Sequence, residues 1–576
     1  MLSLTQIVPP PIPPVFLKFV EVDCHQAFFT RVFHQHDFSR RGFFMNVSQP
    51  RSKIAKFKVV FFCVFLSLAF ATQTQTIAQT EESIYNDIGL NQLRALAAAP
   101  TEGVGVKAHL VEAFNGGSLP DSYAPDTTLS RFSGTSFDFP GFMGDNVADI
   151  FGPHATGSAS NFFGTTGVAR DLGASGSPSV SLYAATGSAT PNDNTPTVDW
   201  INALVINGGQ LPDLSVFDSM TVSSHSYVFF TDPNEQLPPL LARIDYIINE
   251  SDTTVVVGTS GASTAGALPA GWAPSYNAIA VGLSNGTHGS GLTTTYNNGN
   301  SGRIAIDVVV QRTAPSDATP IVAGAVAILQ DASNGSAASF SEVIRATIMA
   351  GATKGAGDIA GTWSRTPTQP LDLVYGAGEL NILNSYNIQQ GGEVNGGTTS
   401  ATAATANING WDYENNLSSN DDRYYEFTVG ADEAVEDFSI ALAWNFNVVL
   451  TFRPSQLADL SLQLTDSNNN VVDFSDSSVD NVEHIFIPSL PAGTYQLRVE
   501  NSSAFNTDYG LAFGGTVVPA VLLGDSNLDG VVNFFDVAAL VGFLTSGSYL
   551  EQADTNQDGV VNFLDIASFI AILTNT

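Results

Sequence analysis

Short apolar runs rich in β-branched residues alternate with helix-like segments between residues 80 and 390. Strands that are apolar on both faces, alternating with helices, are typical of a parallel sheet covered by helices. The pattern therefore predicts an α/β domain over 80–390. The apolar runs are 253–258 (TTVVVG), 277–282 (NAIAVG) and 303–310 (RIAIDVVV), and the helix-like segments are 320–332 and 338–349.

The pattern changes after residue 390. Residues 391–409 (GGEVNGGTTSATAATANIN) are small, polar and nearly uncharged, which predicts a linker. Over 410–518, runs such as YYEFTV, FSIALAW and TYQLRVE alternate apolar and polar residues between turn clusters such as DSNNN and LPAG. This period of two predicts an all-β sandwich. A break around Pro519 leads to a last segment, 522–576.

Residues 1–79 have the composition of an N-terminal extension followed by a signal peptide. Residues 51–58 (RSKIAKFK) carry four positive charges, and 59–71 (VVFFCVFLSLAFA) form an apolar run that is short for a spanning helix. Charged, apolar and then small polar residues are the order of a signal peptide. We expect bacterial-type export and no membrane span in the mature chain, with a membrane anchor as the alternative. Met1 and Met45 are both candidate starts.

Charge and cysteine content narrow the classes of partner. The formal net charge is -34, from 21 Lys and Arg residues against 55 Asp and Glu residues. Such an acidic balance argues against nucleic acid or an anionic membrane as partner and favours cation binding. Both cysteines, Cys24 and Cys63, lie in or before the signal segment, so we expect no disulfide in the mature chain.

The last segment contains a duplicated loop with the ligand spacing of a calcium site. Each copy reads D-x-N-x-D-G, with an Asp at position 12 and a backbone carbonyl at position 7. Ca²⁺ takes six to eight oxygen ligands, which alternate residues of a tight loop supply. An acidic, turn-rich repeat without metal is the alternative. The expected ligands are Asp525, Asn527, Asp529, Val531 and Asp536 in the first loop, and Asp554, Asn556, Asp558, Val560 and Asp565 in the second.

One amphipathic helix is expected after each loop, with apolar residues at helical spacing. With one helix per loop and Asp at position 12, residues 524–574 resemble a type I dockerin. That resemblance implies a domain that folds around Ca²⁺ and binds a cohesin-like or cell-surface partner. In that family the residues just before position 12 take part in partner choice; here they include Phe534 and Phe535, which are unusually apolar. Docking onto another part of this chain is the alternative.

The α/β domain offers a nucleophile and a base. His154 lies in GPHATGSASNFFG, among small residues that allow close packing near a helix start. Ser316 lies in APSDATPIVAGAVAIL, where a helix N-terminus would place its hydroxyl at the positive end of the helix dipole. Taken singly, each has an ordinary explanation: a surface or core histidine, and a serine cap before a buried helix.

Together these two segments resemble the motifs of the subtilisin-like serine peptidases, over roughly residues 95–390. His154, Thr156 and Ala159 match the histidine motif. The serine motif is matched at Ser316, Ala318, Thr319 and Pro320, whereas Asp317 stands where the family has an apolar residue. The resemblance implies a parallel α/β fold that hydrolyses peptide bonds of a protein or peptide substrate. Ser316 would attack the carbonyl and His154 would transfer the proton.

Two further positions follow from the same resemblance. Glu112, at the end of the strand-like segment GVGVKAHLVE, stands where the family has the Asp that orients the histidine. Thr259, in VVVGTSG, stands where the family has an Asn that donates to the oxyanion, and the Ser316 amide would be the other donor. Glu112, His154, Thr259 and Ser316 are thus the expected catalytic residues.

Residues 411–515 resemble the pre-peptidase C-terminal domain that often follows secreted peptidases. The sequence therefore predicts three domains: an α/β subtilase-like domain, an all-β sandwich and a small α dockerin-like domain. The expected function is a secreted serine endopeptidase with C-terminal binding modules. The alternative is an inactive subtilase fold that serves as a scaffold. A dockerin-bearing glycosidase would need a carboxylate pair, and the sequence offers no candidate.

Overall fold

The computed structural model describes most of the chain that follows the expected signal. The described residues are 81–113, 123–140, 150–185, 214–228, 237–261, 271–294, 301–449, 453–454 and 457–575. These residues all belong to one compact unit. The expected signal peptide, both cysteines and the two candidate starts lie outside the described residues.

A seven-stranded parallel sheet forms the centre of the N-terminal part. Its order is β2-β3-β1-β4-β5-β6-β9, and every neighbouring pair is parallel. Both faces are covered, since all five residues of β4, β5 and β6 are buried. The strands are β1 Lys107–Glu112, β2 Phe137–Asp138, β3 Val180–Ala184, β4 Thr221–His225, β5 Thr254–Gly258, β6 Ile279–Leu283 and β9 Val308–Val310, with a separate antiparallel pair, β7 Leu292–Thr294 and β8 Ser301–Ile304.

Helices cover this sheet, which confirms the predicted α/β class. All eleven residues of the helix Ser341–Gly351 are buried, as are fourteen of the eighteen residues of Pro315–Ala332. Gly324 of α5 lets the helix lie close to the segment around Val168, because a Cβ at Gly324 would lie 2.5 Å from the Cβ of Val168. The helices are α1 Glu81–Asp87, α2 Leu90–Arg94, α3 Pro153–Phe162, α4 Leu237–Ser251, α5 Pro315–Ala332, α6 Ser341–Gly351 and α7 Ile382–Gln390.

A β-sandwich follows, as its alternating pattern predicted. A five-stranded sheet (β10-β12-β19-β16-β17) and a four-stranded sheet (β11-β20-β13-β18) enclose a core that includes Phe427, Phe438 and Phe513. The strands are β10 Ala404–Ala406, β11 Gly410–Leu417, β12 Asp422–Val429, β13 Glu433–Ala443, β14 Val448–Val449, β15 Arg453–Pro454, β16 Leu460–Asp466, β17 Val471–Ser475, β18 Val482–Leu490, β19 Gly493–Asn501 and β20 Thr507–Pro519.

Residues 391–409 are not the free linker that their composition suggested. Strand β10 lies in this segment and pairs with β12 in the five-stranded sheet. The Val394 amide donates to the carbonyl of Trp411, and Gly397 and Tyr424 exchange two backbone hydrogen bonds. Small polar side chains left the backbone free to pair, so the segment became part of the sandwich.

Buried polar groups join the α/β domain to the sandwich. The side chain of Asn277 donates to the carbonyl of Phe446 (3.1 Å) and accepts from its amide (2.7 Å). Asp480 of the sandwich accepts a hydrogen bond from the amide of Ile304 (2.8 Å). Because these groups are buried, separating the domains would expose or orphan them.

The C-terminal segment contains two short helices, α8 Asp536–Ser546 and α9 Asp565–Asn575, each directly after one loop. Their shared core is small: Leu540, Ala553, Val561 and Phe569 are its buried members. Part of the apolar face of each helix stays open, since Val541 is 50% exposed and Ile570 is 53% exposed. Within the described residues, no helix has the length and apolar character needed to cross a membrane.

Candidate active site and calcium loops

Glu112 ends strand β1, which lies inside the parallel sheet between β3 and β4. Its side chain is fully buried. In open parallel sheets, binding sites form beyond the carboxyl ends of the strands, and Glu112 stands at such an end. One carboxylate oxygen, Oε1, has no hydrogen-bond partner among the described residues, whereas Oε2 is hydrogen-bonded to His154.

His154 is the second residue of α3, after Pro153, whose ring suits the first helical position. Its Nδ1 lies 2.9 Å from Oε2 of Glu112. This hydrogen bond raises the pKa of His154 above its usual value; burial opposes the rise, and the charges of Glu112 and Asp317 add to it. A carboxylate on Nδ1 fixes the tautomer that leaves Nε2 free to accept a proton.

Ser316 is the second residue of α5, again directly after a proline. Its backbone amide lies in the first helical turn, where N–H groups have no partner within the helix and carry the positive end of the dipole. Glu112, His154 and Ser316 all line one cleft of about 310 Å³. The fold thus brings to one cleft three residues that are 42 and 162 positions apart in the sequence.

Thr259 also lines this cleft, directly after β5. Its hydroxyl, however, donates to the carbonyl of Val281 on the adjacent strand (3.2 Å). The expected role of this hydroxyl as an oxyanion donor is therefore not supported by its position. The register of the two parallel strands explains the difference, because it places the Val281 carbonyl within reach of the threonine side chain.

The sequence reasoning missed a wall of the cleft formed by Ser226, Tyr227 and Val228. Trp272 Nε1 donates to the Tyr227 hydroxyl (2.9 Å), which lies 3.2 Å from Nδ1 of His225. Burial lowers the pKa of His225 to about 3, so this imidazole is neutral, with one ring nitrogen as donor and the other as acceptor towards the hydroxyls of Tyr227 and Ser223. The available signal was the segment VSSHSYV, whose serine-rich strand runs into this wall.

In the first calcium-type loop, Asp525 and Asp536 accept hydrogen bonds from loop amides. Asp525 accepts from the amides of Asp529 (3.0 Å) and Gly530 (2.8 Å). Asp536 is fully buried and accepts from the amides of Asn527 (3.0 Å) and Asn533 (2.8 Å). Gly530 has φ 85°, a left-handed conformation that favours glycine at the turn.

The second loop repeats this arrangement closely. Asp554 accepts from the amides of Asp558 (3.1 Å) and Gly559 (2.8 Å), and Gly559 has φ 84°. Asp565, also fully buried, accepts from the amides of Asn556 (3.1 Å) and Asn562 (2.7 Å). Two loops with the same internal hydrogen bonds indicate one structural unit used twice.

The donor set of each loop suits a hard dication. Each supplies three carboxylates, an amide oxygen and a position-7 carbonyl, from Val531 in one loop and Val560 in the other. Within the part of the chain that the structure describes, no three acidic, histidine or cysteine side chains converge as a closed metal centre. The carboxylates instead hold loop amides, which preorders both loops around their acidic residues.

Comparison with known proteins identifies the C-terminal segment. Residues 523–574 match the family model described as dockerin type I domain. This match confirms the resemblance predicted for 524–574, and the chain ends in a type I dockerin domain. No curated protein matches the chain.

Solved structures similar to the chain are of the kinds expected upstream. One is a psychrophilic subtilisin-like protease from the Antarctic psychrotroph Pseudoalteromonas sp. AS-11, at 9% identity over 52% of this chain and 97% of that one, with a TM-score of 0.33. Pseudomonas sedolisin, a serine-carboxyl proteinase, matches at 14% identity over 52% and 97%, with a TM-score of 0.33. The pre-peptidase C-terminal domain of a collagenase from Bacillus anthracis matches at 15% identity over 19% and 91%, with a TM-score of 0.15.

Proposed function

We propose that the chain is a secreted, subtilisin-like serine endopeptidase whose dockerin domain attaches it to a partner. The observation that supports this most is the 2.9 Å hydrogen bond between His154 and the buried Glu112, in a cleft that Ser316 also lines. A serine at a helix N-terminus beside a carboxylate-oriented histidine is the arrangement of a serine hydrolase.

In the proposed reaction, the Ser316 hydroxyl attacks the peptide carbonyl and gives its proton to Nε2 of His154. His154 then protonates the leaving amine, and water hydrolyses the acyl-enzyme by the same route. Glu112 keeps the imidazole in the required tautomer and stabilises its charged form. The oxyanion takes the Ser316 amide as donor, because the Thr259 hydroxyl is engaged with Val281.

A second candidate function is an inactive subtilase fold used as a binding scaffold. The engagement of Thr259 with Val281 favours it, since losing one oxyanion donor costs on the order of 100- to 1000-fold in turnover. Asp317, directly after Ser316, adds a negative charge whose influence reaches His154. A carboxylate at that position opposes development of an oxyanion.

Covalent labelling with a fluorophosphonate separates the two functions. The enzyme hypothesis expects labelling of the purified chain, loss of labelling in Ser316→Ala, and strong reduction in His154→Ala. Ser546→Ala, at the exposed end of α8, serves as the matched control and should label like the parent. Labelling that is absent from the parent chain, or that persists in Ser316→Ala, would refute the endopeptidase proposal.

For the dockerin domain we propose Ca²⁺ as the bound ion and a cohesin-like protein as the partner. The ten expected ligands lie in the two matched loops, and dockerin domains bind calcium. Four apolar side chains just before the position-12 residues are freely accessible: Phe534 (80% exposed), Phe535 (79%), Phe563 (75%) and Leu564 (67%). An apolar partner surface would therefore suit this domain.

A binding experiment tests the partner. Replacing Phe534 and Phe535 by Ser should weaken binding of a cohesin domain in calorimetry, whereas Ser546→Ala should not. Loss of binding on chelation of Ca²⁺ would support the ion. Unchanged affinity in both conditions would refute this part of the proposal.

A further inference from the structure

A second cavity lies where the end of α4 and the start of α6 meet the sandwich. Its volume is about 680 Å³, more than twice the roughly 310 Å³ of the catalytic cleft. Small-molecule sites usually have volumes of about 300–1,000 Å³, so the cavity is large enough for a ligand. The described residues that line the two cavities are all different, so this cavity is separate from the candidate active site.

Side chains on the sandwich wall of this cavity hold one another in place. Asp508 accepts hydrogen bonds from the backbone amide of Asn416 (2.6 Å) and from the Tyr413 hydroxyl (3.1 Å). Nδ2 of Asn506 donates to Oδ1 of Asn416 (3.1 Å). Asn416 has φ 66° at a register shift between β11 and β20, and such bulges commonly re-aim a side chain. A wall that is fixed before binding lowers the entropy cost of holding a ligand.

Several polar groups of the lining keep hydrogen-bonding capacity that the described residues do not use. Nδ2 of Asn445 donates to Oγ of Ser341 (2.9 Å) and to Oε2 of Glu342 (3.0 Å), and within the described part of the chain no donor reaches its Oδ1. The carboxylate of Asp252 accepts no hydrogen bond from a described residue, and Nδ2 of Asn416 donates none to one. Unused acceptors and an unused donor thus line one cavity, and hydroxyl groups, which both donate and accept, match that mixture.

Charge and ring chemistry narrow the class of ligand. The described lining contains no Lys, Arg or His, which disfavours an anionic ligand. Asp252, Glu342 and Asp508 all line the cavity, yet no three acidic side chains of the described residues converge as a metal site. Tyr413 and Phe505 add two half-buried aromatic rings to the wall, each also packed against a hydrophobic cluster. Such rings suit a ligand that has apolar C–H faces as well as hydroxyl groups.

We propose that this cavity binds a short neutral saccharide. Hydroxyl groups of the sugar donate to the Asp252 carboxylate and to Oδ1 of Asn445, and one accepts from Nδ2 of Asn416. A C–H face of the sugar packs on Tyr413 or Phe505. The site does not depend on the cleft residues or on the proposed peptidase activity.

A panel of neutral sugars tests the proposal on the purified full chain. Glucose, xylose, N-acetylglucosamine, maltose and cellobiose are each titrated at pH 7, with saturation-transfer NMR to detect weak binding and calorimetry to measure Kd. We expect saturable binding of at least one of these sugars, with one site per chain. Absence of saturable binding for the whole panel would overturn the proposal.

Two substitutions locate the binding site. Asn416→Gly removes the amide and keeps the left-handed backbone, and Phe505→Leu removes the ring but keeps apolar packing on the sandwich core. Each should raise the Kd about 3- to 10-fold, the usual effect of losing one hydrogen bond or one ring contact. Asn469→Gly is the matched control, because Asn469 is exposed, has φ 61° and lies outside the cavity, between β16 and β17. Thermal unfolding checks that each variant is folded, and an unchanged Kd in both cavity variants would place the sugar elsewhere and overturn the proposal.

Agmatine, an organic cation, separates a saccharide site from a cation site. Burial, with the charges of Asp252 and Asp508, raises the pKa of Glu342 to about 8, so the negative charge of the cavity grows between pH 7 and pH 8.5. A cation site would bind agmatine more tightly over that range, whereas the affinity of a neutral sugar should not increase. Agmatine binding that tightens with pH, with no competition from any sugar of the panel, would overturn the proposal.

Discussion

Glu342 is a buried carboxyl whose ionisation should make the stability of the protein depend on pH. It lies near the start of α6, is 4% exposed, and faces Asp252 of the α/β domain and Asp508 and Tyr413 of the sandwich. Burial, with the charges of Asp252 and Asp508, raises the pKa of Glu342 to about 8. The carboxyl is therefore mostly protonated at neutral pH, and its ionisation is opposed by the folded state.

The magnitude follows from linkage. A rise from 4.5 to about 8 is about 3.5 units, which at about 1.36 kcal/mol per unit corresponds to about 5 kcal/mol. Because the unfolded chain ionises Glu342 first, it binds fewer protons in this window. Stability from this group is thus fully present below about pH 4.5 and is lost as the pH rises to about 8.

The perturbation is Glu342→Gln, which cannot ionise. The glutamine oxygen can still accept the hydrogen bonds that Ser341 (2.9 Å) and Asn445 (3.0 Å) donate to Oε2. We expect the variant to match the parent near pH 4.5 and to exceed it by up to about 5 kcal/mol above pH 8. Denaturant unfolding between pH 4.5 and 9 measures this difference.

Glu82→Gln is the matched control, because Glu82 lies exposed on α1. Its stability difference from the parent should stay flat with pH. An advantage of Glu342→Gln that is constant across the range, or that declines with rising pH, would refute the argument that burial among carboxylates sets this titration.

Four further predictions concern the cleft, the packing around two helical glycines and the dockerin domain. Since the pKa of His154 is raised, kcat/KM for a peptide substrate should fall as the pH drops through a value above 6.5, in a profile that a plain pH titration measures. Gly324→Ala should cost about 1–3 kcal/mol in thermal unfolding, because its Cβ would meet Val168. Gly542→Ala in α8, where nothing lies within 4 Å, should instead gain up to about 1 kcal/mol. Chelation of Ca²⁺ should reduce helical circular dichroism from 523–574, with recovery on adding Ca²⁺ but not Mg²⁺.

The parallel sheet and the sandwich could both be predicted from periodicity alone. A strand buried on both faces, such as β5 (TVVVG), is apolar along most of its length, so its residue types predict its burial. In the sandwich, β19 alternates buried and half-buried residues, and its sequence alternates with the same period. In both cases, whether each residue is buried or exposed was enough to predict the strand.

The failures concern interactions that side-chain types do not encode. Residues 391–409 join the sandwich through backbone hydrogen bonds, which their small side chains do not predict. The hydroxyl of Thr259 has a partner set by the register between β5 and β6. The Tyr227 hydroxyl is hydrogen-bonded to His225 and to Trp272, and Trp272 lies 45 positions away in the sequence. Composition and spacing cannot supply such long-range geometry.

Burial alone does not mark a functional carboxylate in this protein, and comparison of two of them shows what does. Glu112 and Glu342 are both buried, but their neighbours differ. Glu112 is hydrogen-bonded to an imidazole, whereas Glu342 faces two further carboxylates. In the proposed reaction, the imidazole of His154 accepts and returns a proton beside an open cleft, and Glu112 orients that imidazole. Glu342 has no such partner among its described neighbours, so the protonation of its carboxyl affects the pH dependence of stability at this interface and not a reaction. The partner of a buried acid, more than its depth, therefore separates the candidate catalytic residue from the structural one.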